Sequence, residues 1–189
     1  MMKNKNVHSD NELADIVRAN KKSSGSAFEE LYDRYSDKIY RYVLLAIGNK
    51  EIASDILQEV FMAFYAKLHE YQIENIKAFL YAVARNHIYR HRSKKKIEHA
   101  IVDIDEVLES DYGMNYESED LYRMLLNALA VLEGVNREAY ILREFNGLSY
   151  PEIAEILEIS VEVTRTRVHR AQVKLKEILS PIINELNKF

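Results

Sequence analysis

The stretch from residue 147 to residue 171 encodes two short helices joined by a tight turn, and it constrains the fold more than any other segment. Ser149 and Glu152 form a capping box for the first helix, and Pro151 lies in its first turn, where its missing N–H is tolerated. After a short turn, Ser160 is placed to cap the second helix. This order of elements predicts a helix-turn-helix, whose second helix enters the major groove of DNA.

The second helix of this motif has an apolar row and a polar row. The inward row consists of Thr164, Val168, Ala171 and Leu175. From residue 161 to residue 176 there are five Lys or Arg and one acid, which favours DNA binding over a solvated charged face. The residues predicted to face base edges are Glu162, Arg165, Thr166 and His169, and those predicted to contact phosphates are Arg167, Arg170 and Lys174. On this motif alone, many bacterial regulators fit equally well.

The net charge of −4 is unexpected for a DNA-binding protein, but the charges are segregated along the chain. From Lys77 to Ile97 there are seven Lys or Arg and no acid, whereas from Glu98 to Asp120 there are nine acids and no Lys or Arg. The local field, not the net charge, decides where a polyanion binds. The acidic segment therefore offsets the charge of two basic surfaces when the net charge is summed over the whole chain.

The composition excludes several classes of site. The absence of cysteine excludes disulfides, iron–sulfur clusters and cysteine-ligated zinc, which fits a reducing cytoplasm. The N-terminal residues lack the apolar core of a secretion signal, and no apolar run is long enough to span a bilayer. Because no nucleophile–base set, metal-ligand cluster or phosphate-binding glycine loop is present, the sequence predicts neither an enzyme nor a cofactor. We expect a cytoplasmic protein with no membrane insertion.

Apolar spacing predicts an all-α chain with two small helical domains. In the N-terminal half, helices are predicted over about 27–46, 51–68 and 75–92. Gly48 is predicted to end the first of them and Asn75 to cap the third. The predicted organisation is a polar N-terminal tail over 1–24, a first domain over 25–95, an acidic linker over 96–120 and a helix-turn-helix domain over 121–189.

A stripe of cations and aromatics, the basic-aromatic stripe, follows one side of the third of these helices. Its members are spaced three or four residues apart: Lys77, Tyr81, Arg85, Tyr89 and Arg92. Such a stripe can bind phosphates and stack on unpaired bases, but a solvated face with partly buried tyrosines explains it equally well. His87 and His91 form an i, i+4 pair, yet no third ligand lies nearby and the surrounding cations oppose a dication. We therefore predict no metal site.

Three stretches, in this order, resemble the extracytoplasmic-function sigma factors, the smallest members of the main bacterial sigma family. They are residues 53–61, residues 79–86 and the helix-turn-helix, within a resemblance that spans about Phe28 to Leu179. The resemblance implies a subunit that binds core RNA polymerase, directs it to promoters and assists DNA opening. Thr164 departs from the family, which usually has an aliphatic core residue at that position.

The resemblance also assigns residues to partners. It implies that core polymerase binds Asp55, Gln58 and Glu59. It implies that the opened −10 element of promoter DNA contacts the 69–75 loop together with Lys77, Tyr81, Arg85, Asn86, Tyr89 and Arg90, and that the helix-turn-helix reads the −35 element. Members of the family are commonly held inactive by an anti-sigma factor, so such a protein is a candidate partner, although no residue here identifies one.

Two other classes remain open on the sequence. An ordinary helix-turn-helix regulator would leave Asp55, Gln58 and Glu59 without a role and would protect duplex DNA without polymerase. A helical interaction protein would show no salt-dependent affinity for DNA, and the two basic surfaces disfavour it.

Overall fold

The computed structural model describes residues 8–19, 22–95 and 119–186, and every regular element in these ranges is helical. The N-terminal domain contains α1 (Asp10–Arg18), α2 (Ser24–Ile47), α3 (Lys50–Glu70) and α4 (Ile76–Lys95). The C-terminal domain contains α5 (Glu119–Val131), α6 (Gly134–Tyr140), the π-helical turn Ile141–Phe145, α7 (Tyr150–Leu157) and α8 (Val161–Leu186). The prediction of an all-helical chain is confirmed, while the predicted acidic linker lies almost wholly outside the described residues.

Local capping sets the helix ends in the N-terminal domain. Gly48 ends α2 in the left-handed conformation at φ 73°, which glycine adopts without a side-chain clash. Asn49 then caps α3 by accepting a hydrogen bond from the N–H of Ile52 at 2.9 Å. Asn75 caps α4 in the same way, through the N–H of Ala78 at 3.0 Å. The sequence predicts these ends to within a few residues.

Helix α1 lies in the segment for which the sequence predicts a polar tail, and that prediction is wrong for residues 10–18. Ser9 and Glu12 form a capping box that starts the helix. The residues that α1 buries against α2 and α3 are Leu13, Ala14 and Val17. Asp10 ties α1 to α2, because its carboxylate accepts a hydrogen bond from Arg34 at 2.7 Å. Helix α1 is therefore part of the N-terminal domain.

Helices α2, α3 and α4 pack around a core that is rich in aromatic rings. Phe64 of α3 is fully buried, with its ring centroid 6.0 Å from that of Phe28 and 6.1 Å from that of Phe79. Rings at such separations stabilise one another beyond the effect of area burial. Phe64 thus links the three helices.

Phe64→Ala is expected to lower the free energy of unfolding by about 3–5 kcal/mol, because it removes a buried ring and leaves a cavity. Urea unfolding followed by circular dichroism measures the change. Met62→Ala on the same helix is the matched control, since this side chain is 64% exposed. For the control we expect a change within about 0.5 kcal/mol, and equal losses for the two variants would contradict the packing.

In the C-terminal domain, α6 and α7 pack on α8. The apolar row predicted for α8 is buried: Thr164, Val168, Ala171 and Leu175. Thr164 is the polar member of this row, and its hydroxyl donates to the carbonyl of Ser160 at 3.0 Å. Because a buried hydroxyl is costly only when it lacks a partner, Thr164 leaves the packing of α8 intact.

The two domains pack against each other, with α7 on α4 and the π-helical turn on α2. Arg41 of α2 donates a hydrogen bond to the carbonyl of Phe145 at 3.2 Å. Asn146, which follows the π-helical turn, donates to the carbonyl of Lys38 at 2.7 Å. We call this packing the closed arrangement. It decides which of the predicted functional side chains face solvent.

Candidate nucleic-acid and protein interfaces

The helix-turn-helix has the caps that the sequence predicts. Ser149 Oγ accepts from the N–H of Glu152, whose carboxylate accepts from the N–H of Ser149 at 2.7 Å. Glu158 turns the chain in the left-handed conformation at φ 54°. Ser160 Oγ accepts from the N–H of Val163 at 3.2 Å and so caps α8. Local hydrogen bonds therefore fix where α7 and α8 start.

The four residues predicted to face base edges, Glu162, Arg165, Thr166 and His169, are all exposed on α8. Thr166 Oγ1 donates to the carbonyl of Glu162 at 2.9 Å, which leaves its methyl group and lone pairs available to a base. The pKa of Glu162 lies below its ordinary value, because its carboxylate accepts its own backbone N–H and the Ser160 hydroxyl and lies near Arg165. Glu162 is therefore an anion at neutral pH.

The predicted phosphate contacts lie on the same helix. Arg170 and Lys174 are exposed, and Arg167 is half-buried. Lys174 Nζ lies 3.0 Å from the carboxylate of Glu177, but both side chains are more than half exposed. Such surface ion pairs contribute little stability, so this pairing leaves Lys174 available to a phosphate.

Arg165 is in contact with an aromatic ring. Its guanidinium carbon lies 5.5 Å from the ring centroid of Tyr150, the first residue of α7. The same ring receives the guanidinium of Arg143, whose carbon lies 4.7 Å from the centroid. Two arginines from different elements therefore share one tyrosine beside the polar row of α8.

Asp55, Gln58 and Glu59, the residues assigned to core polymerase, are exposed on one side of α3. The carboxylate of Glu59 forms an ion pair with the imidazole of His87 on α4 when that imidazole is protonated. This contact orients Glu59 without burying it, since 59% of its side chain is exposed.

An apolar groove of about 620 Å³ lies between α2 and α3 and includes Gln58 in its lining. Its aromatic and sulfur-containing residues are Phe28, Tyr32, Phe61, Met62 and Tyr65. Exposed apolar residues beside a polar row are typical of a protein interface. Sequence reasoning missed this groove because it used apolar spacing only to place α2 and α3, and did not consider apolar residues outside the inward rows. The adjacent pair Phe61 and Met62 was the available signal, since neighbours on a helix cannot share one narrow buried face.

The basic-aromatic stripe is largely covered in the closed arrangement, and the predicted exposure of Tyr81 is wrong for this arrangement. The Tyr81 ring is 0% exposed, and its hydroxyl accepts a hydrogen bond from Asn146 at 3.0 Å. Burial raises the pKa of Tyr81 to about 12. Lys77 lies 2.7 Å from the carboxylate of Glu152 in α7. The C-terminal domain thus contacts part of the surface that was predicted for −10 DNA.

Glu138 of α6 contacts three residues of the N-terminal domain. Its carboxylate accepts hydrogen bonds from Tyr42 at 2.7 Å and from Tyr89 at 3.1 Å, and it lies 3.3 Å from Arg85 Nε. We call these four residues the Glu138 cluster. The Glu138 side chain is 10% exposed and that of Arg85 is 22% exposed, so this ion pair is poorly solvated. Sequence reasoning missed Glu138 because its partners lie on α2 and α4, far away along the chain.

Other predicted −10 residues remain at the surface. Asn86, Tyr89 and Arg90 are exposed on α4, with 38% of Tyr89 accessible to solvent. Arg92 donates a hydrogen bond to the carbonyl of Ala46, so this member of the stripe joins α4 to α2 within the N-terminal domain. In the part of the chain that the structure describes, no three His, Cys, Asp or Glu side chains form a group that could hold a metal ion.

Two family models match the chain, "Sigma-70 region 2" over residues 31–97 and "Sigma-70, region 4" over residues 122–175. RNA polymerase sigma factor SigZ of Bacillus subtilis is 30% identical over 152 residues, which cover 80% of this chain and 86% of SigZ. ECF RNA polymerase sigma factor SigM of the same organism is 29% identical over 159 residues, covering 83% of this chain and 98% of SigM.

Solved structures resemble the chain as well. The sigma factor RpoE of Bartonella quintana, solved in complex with the anti-sigma factor NepR, has a TM-score of 0.65 and 26% identity, covering 81% of this chain and 96% of its own. CnrH, solved in complex with the cytosolic domain of CnrY, has a TM-score of 0.69 and 20% identity, covering 91% of this chain and 97% of CnrH. At this identity, the likeness to CnrH shows a shared fold alone. Among the described residues, no helix is long and apolar enough to cross a membrane.

Proposed function

Because this chain belongs to the extracytoplasmic-function sigma factors, which serve promoter-specific transcription initiation, we propose how its side chains divide that task. The C-terminal domain reads the −35 element, and the N-terminal domain binds core polymerase and the opened −10 element. The observation that carries this division is the exposed polar row of α8, held on a capped helix-turn-helix. A row fixed by local hydrogen bonds can enter the major groove without reorganising.

We assign sequence reading chiefly to Arg165 and positioning to Lys174. A guanidinium can donate two hydrogen bonds to guanine O6 and N7, whereas an ammonium on a flexible stem contacts phosphates as a point charge. Thr166 and His169 lie beside Arg165 on the exposed row and contact the edges of neighbouring bases. Glu162 suits the amino group of cytosine, because its carboxylate stays ionised.

Arg165→Ala is expected to relax preference at one −35 position, at a cost of about 1–3 kcal/mol for the preferred base. Lys174→Ala is expected to weaken binding to all sequences alike. It should also reduce, by about one, the slope of the logarithm of the binding constant against the logarithm of the salt concentration. Competition among −35 variants for polymerase carrying each variant chain measures both effects. A uniform loss for Arg165→Ala would show that this residue does not read bases.

We propose that core polymerase docks on Asp55, Gln58 and Glu59, and that the apolar groove beside Gln58 extends this surface. Charged residues give such an interface specificity, and exposed aromatics give it buried area. The same groove is the candidate site for an anti-sigma factor. The RpoE relative of Bartonella quintana was solved with a partner of that class, which supports the class of partner.

The −10 assignment requires the domains to separate. In the closed arrangement Tyr81 is buried and Arg85 is poorly solvated and paired with Glu138, so these two cannot meet DNA, and Lys77 is paired with Glu152 of the C-terminal domain. The contacts between the domains include many polar pairs, as is usual for interfaces that open. We propose that binding to core polymerase moves the C-terminal domain away from α4 and exposes the basic-aromatic stripe.

The proposal gives the chain no catalytic step of its own, since RNA synthesis belongs to the polymerase. It places the chain in the cytoplasm, the compartment of that polymerase. Of the rival classes, a polymerase-independent DNA-binding regulator leaves Asp55, Gln58 and Glu59 without a function, and a helical interaction protein leaves the two basic surfaces without one.

A further inference from the structure

The ring of Tyr150 is held in place by its surroundings. It is half-buried and packs against the apolar core of the C-terminal domain. Arg143, whose guanidinium lies over this ring, also donates a hydrogen bond to the carbonyl of Leu148 at 2.8 Å. Arg143 therefore spans the loop before α7 and rests on its first residue. A ring fixed in this way is a rigid surface rather than a mobile surface side chain.

Arg165 extends over this surface from α8. Its guanidinium carbon lies 5.5 Å from the Tyr150 centroid, within the range in which a cation is attracted to the face of an aromatic ring. The Arg165 side chain is exposed, so without the ring it would sample many rotamers. Contact with Tyr150 restricts it to the conformers that lie toward the start of α7.

We infer that Tyr150 is a positioning residue for sequence reading, because its ring preorganises the guanidinium of Arg165 for bidentate contact with a guanine. This inference rests on the proposed function of Arg165. Two parallel hydrogen bonds to O6 and N7 require a fixed guanidinium plane, and a guanidinium that is already ordered loses less entropy on binding. Phosphate contacts need no such plane, so the ring should affect the choice of base more than overall affinity.

The test compares Tyr150→Leu with Tyr150→Phe in polymerase assembled with the full chain. Leucine keeps an apolar group at the core and removes the aromatic face, whereas phenylalanine keeps the face and removes only the hydroxyl. Competition between promoters that differ at the Arg165-dependent −35 base pair measures discrimination. We expect Tyr150→Leu to reduce it roughly two- to fivefold, with little change for Tyr150→Phe.

Each variant is also combined with Arg165→Ala, to form a double-mutant cycle. If Tyr150 acts through Arg165, then Tyr150→Leu has no further effect on discrimination once Arg165 is absent. A selective loss for Arg165→Ala with none for Tyr150→Leu would overturn the inference and leave the proposed function standing. The absence of any selective loss for Arg165→Ala would overturn the base-reading assignment itself.

Two further outcomes are distinguishable. A uniform loss of affinity for Tyr150→Phe, matched by Tyr150→Leu, would overturn the inference by showing that the hydroxyl binds a phosphate. If Tyr150→Leu prevents folding, Tyr150→Met supplies the same comparison, because its unbranched side chain fills an irregular space more easily. For Tyr150→Met, unchanged discrimination overturns the inference and a selective loss supports it.

Discussion

Glu138→Gln is expected to open the closed arrangement and to raise the affinity of the free chain for single-stranded −10 DNA about tenfold or more. The substitution leaves Arg85 poorly solvated and without its counter-charge, but only while the domains are packed. Glu138 also accepts hydrogen bonds from Tyr42 and Tyr89; hydrogen bonds to charged groups contribute about 1.5–3 kcal/mol, and each 1.4 kcal/mol changes an equilibrium constant about tenfold. The closed arrangement therefore loses stability that the separated domains do not lose.

Two measurements check this expectation. The distance between spin labels on the two domains should lengthen in Glu138→Gln, and fluorescence anisotropy should show tighter binding of a labelled single strand. Glu155→Gln is the matched control, since Glu155 also contacts the N-terminal domain, through Asn75 at 3.0 Å, but at an exposed site. An unchanged distance together with unchanged affinity in Glu138→Gln would contradict the role of the Glu138 cluster.

The closed arrangement also contains contacts that oppose it. The buried guanidinium of Arg137 has its pKa lowered to about 10, first by burial and then by the nearby charge of Arg92. Asn146 Oδ1 and Arg41 Nε are buried and have no hydrogen-bond partner within the described residues. Such groups cost free energy that is recovered when the domains separate and water reaches them. These groups lower the free-energy cost of separating the domains.

Asp55→Lys is expected to weaken binding to core polymerase at least about thirtyfold, the second large effect. If Asp55 meets a cation of the polymerase, reversal of its charge replaces an attraction by a repulsion, and such changes at an interface cost about 2–5 kcal/mol. Competition against a labelled wild-type chain for core polymerase measures the loss. Because Asp55 is exposed and has no ion pair in the described part of the chain, the substitution should leave folding intact.

Asp15→Lys in α1 provides the matched control for this charge reversal. Asp15 is exposed and forms a surface ion pair with Arg18, which contributes little to stability. We expect no more than about a twofold change in affinity, of the size that rim charges produce through association rate. Equal losses for Asp15→Lys and Asp55→Lys would indicate a general charge effect and would contradict a docking site on α3.

Local signals explain why much of the fold could be predicted from the sequence. Gly48, Asn49, Asn75, Ser149 and Ser160 each cap or end a helix through contacts within a few residues, so a short window contains the whole cause. The inward row of α8 follows from helical periodicity in the same way. Helix α1 was missed because its apolar residues are few, and its burial depends on α2 and α3.

The candidate site was less predictable, because exposure depends on contacts between distant segments. The basic-aromatic stripe was inferred from residue spacing within α4 alone, and that spacing places Tyr81 on the same side as the cations. Its ring packs against Tyr42 of α2, and its hydroxyl accepts a hydrogen bond from Asn146, 65 positions further along the chain. By contrast, Arg165 and His169 on α8 are exposed within the described part of the chain, as their spacing predicts. A spacing argument identifies a helix face but not the element that packs on it.

Transcription from a promoter library with purified core polymerase, with and without this chain, tests directly whether the chain directs polymerase to promoters. We expect transcripts that depend on the chain and share −35 and −10 elements. We also expect the chain and core polymerase to purify together, and Asp55→Lys to weaken both results. No promoter-specific transcript that depends on the chain, together with no association with core polymerase, would contradict the proposed function.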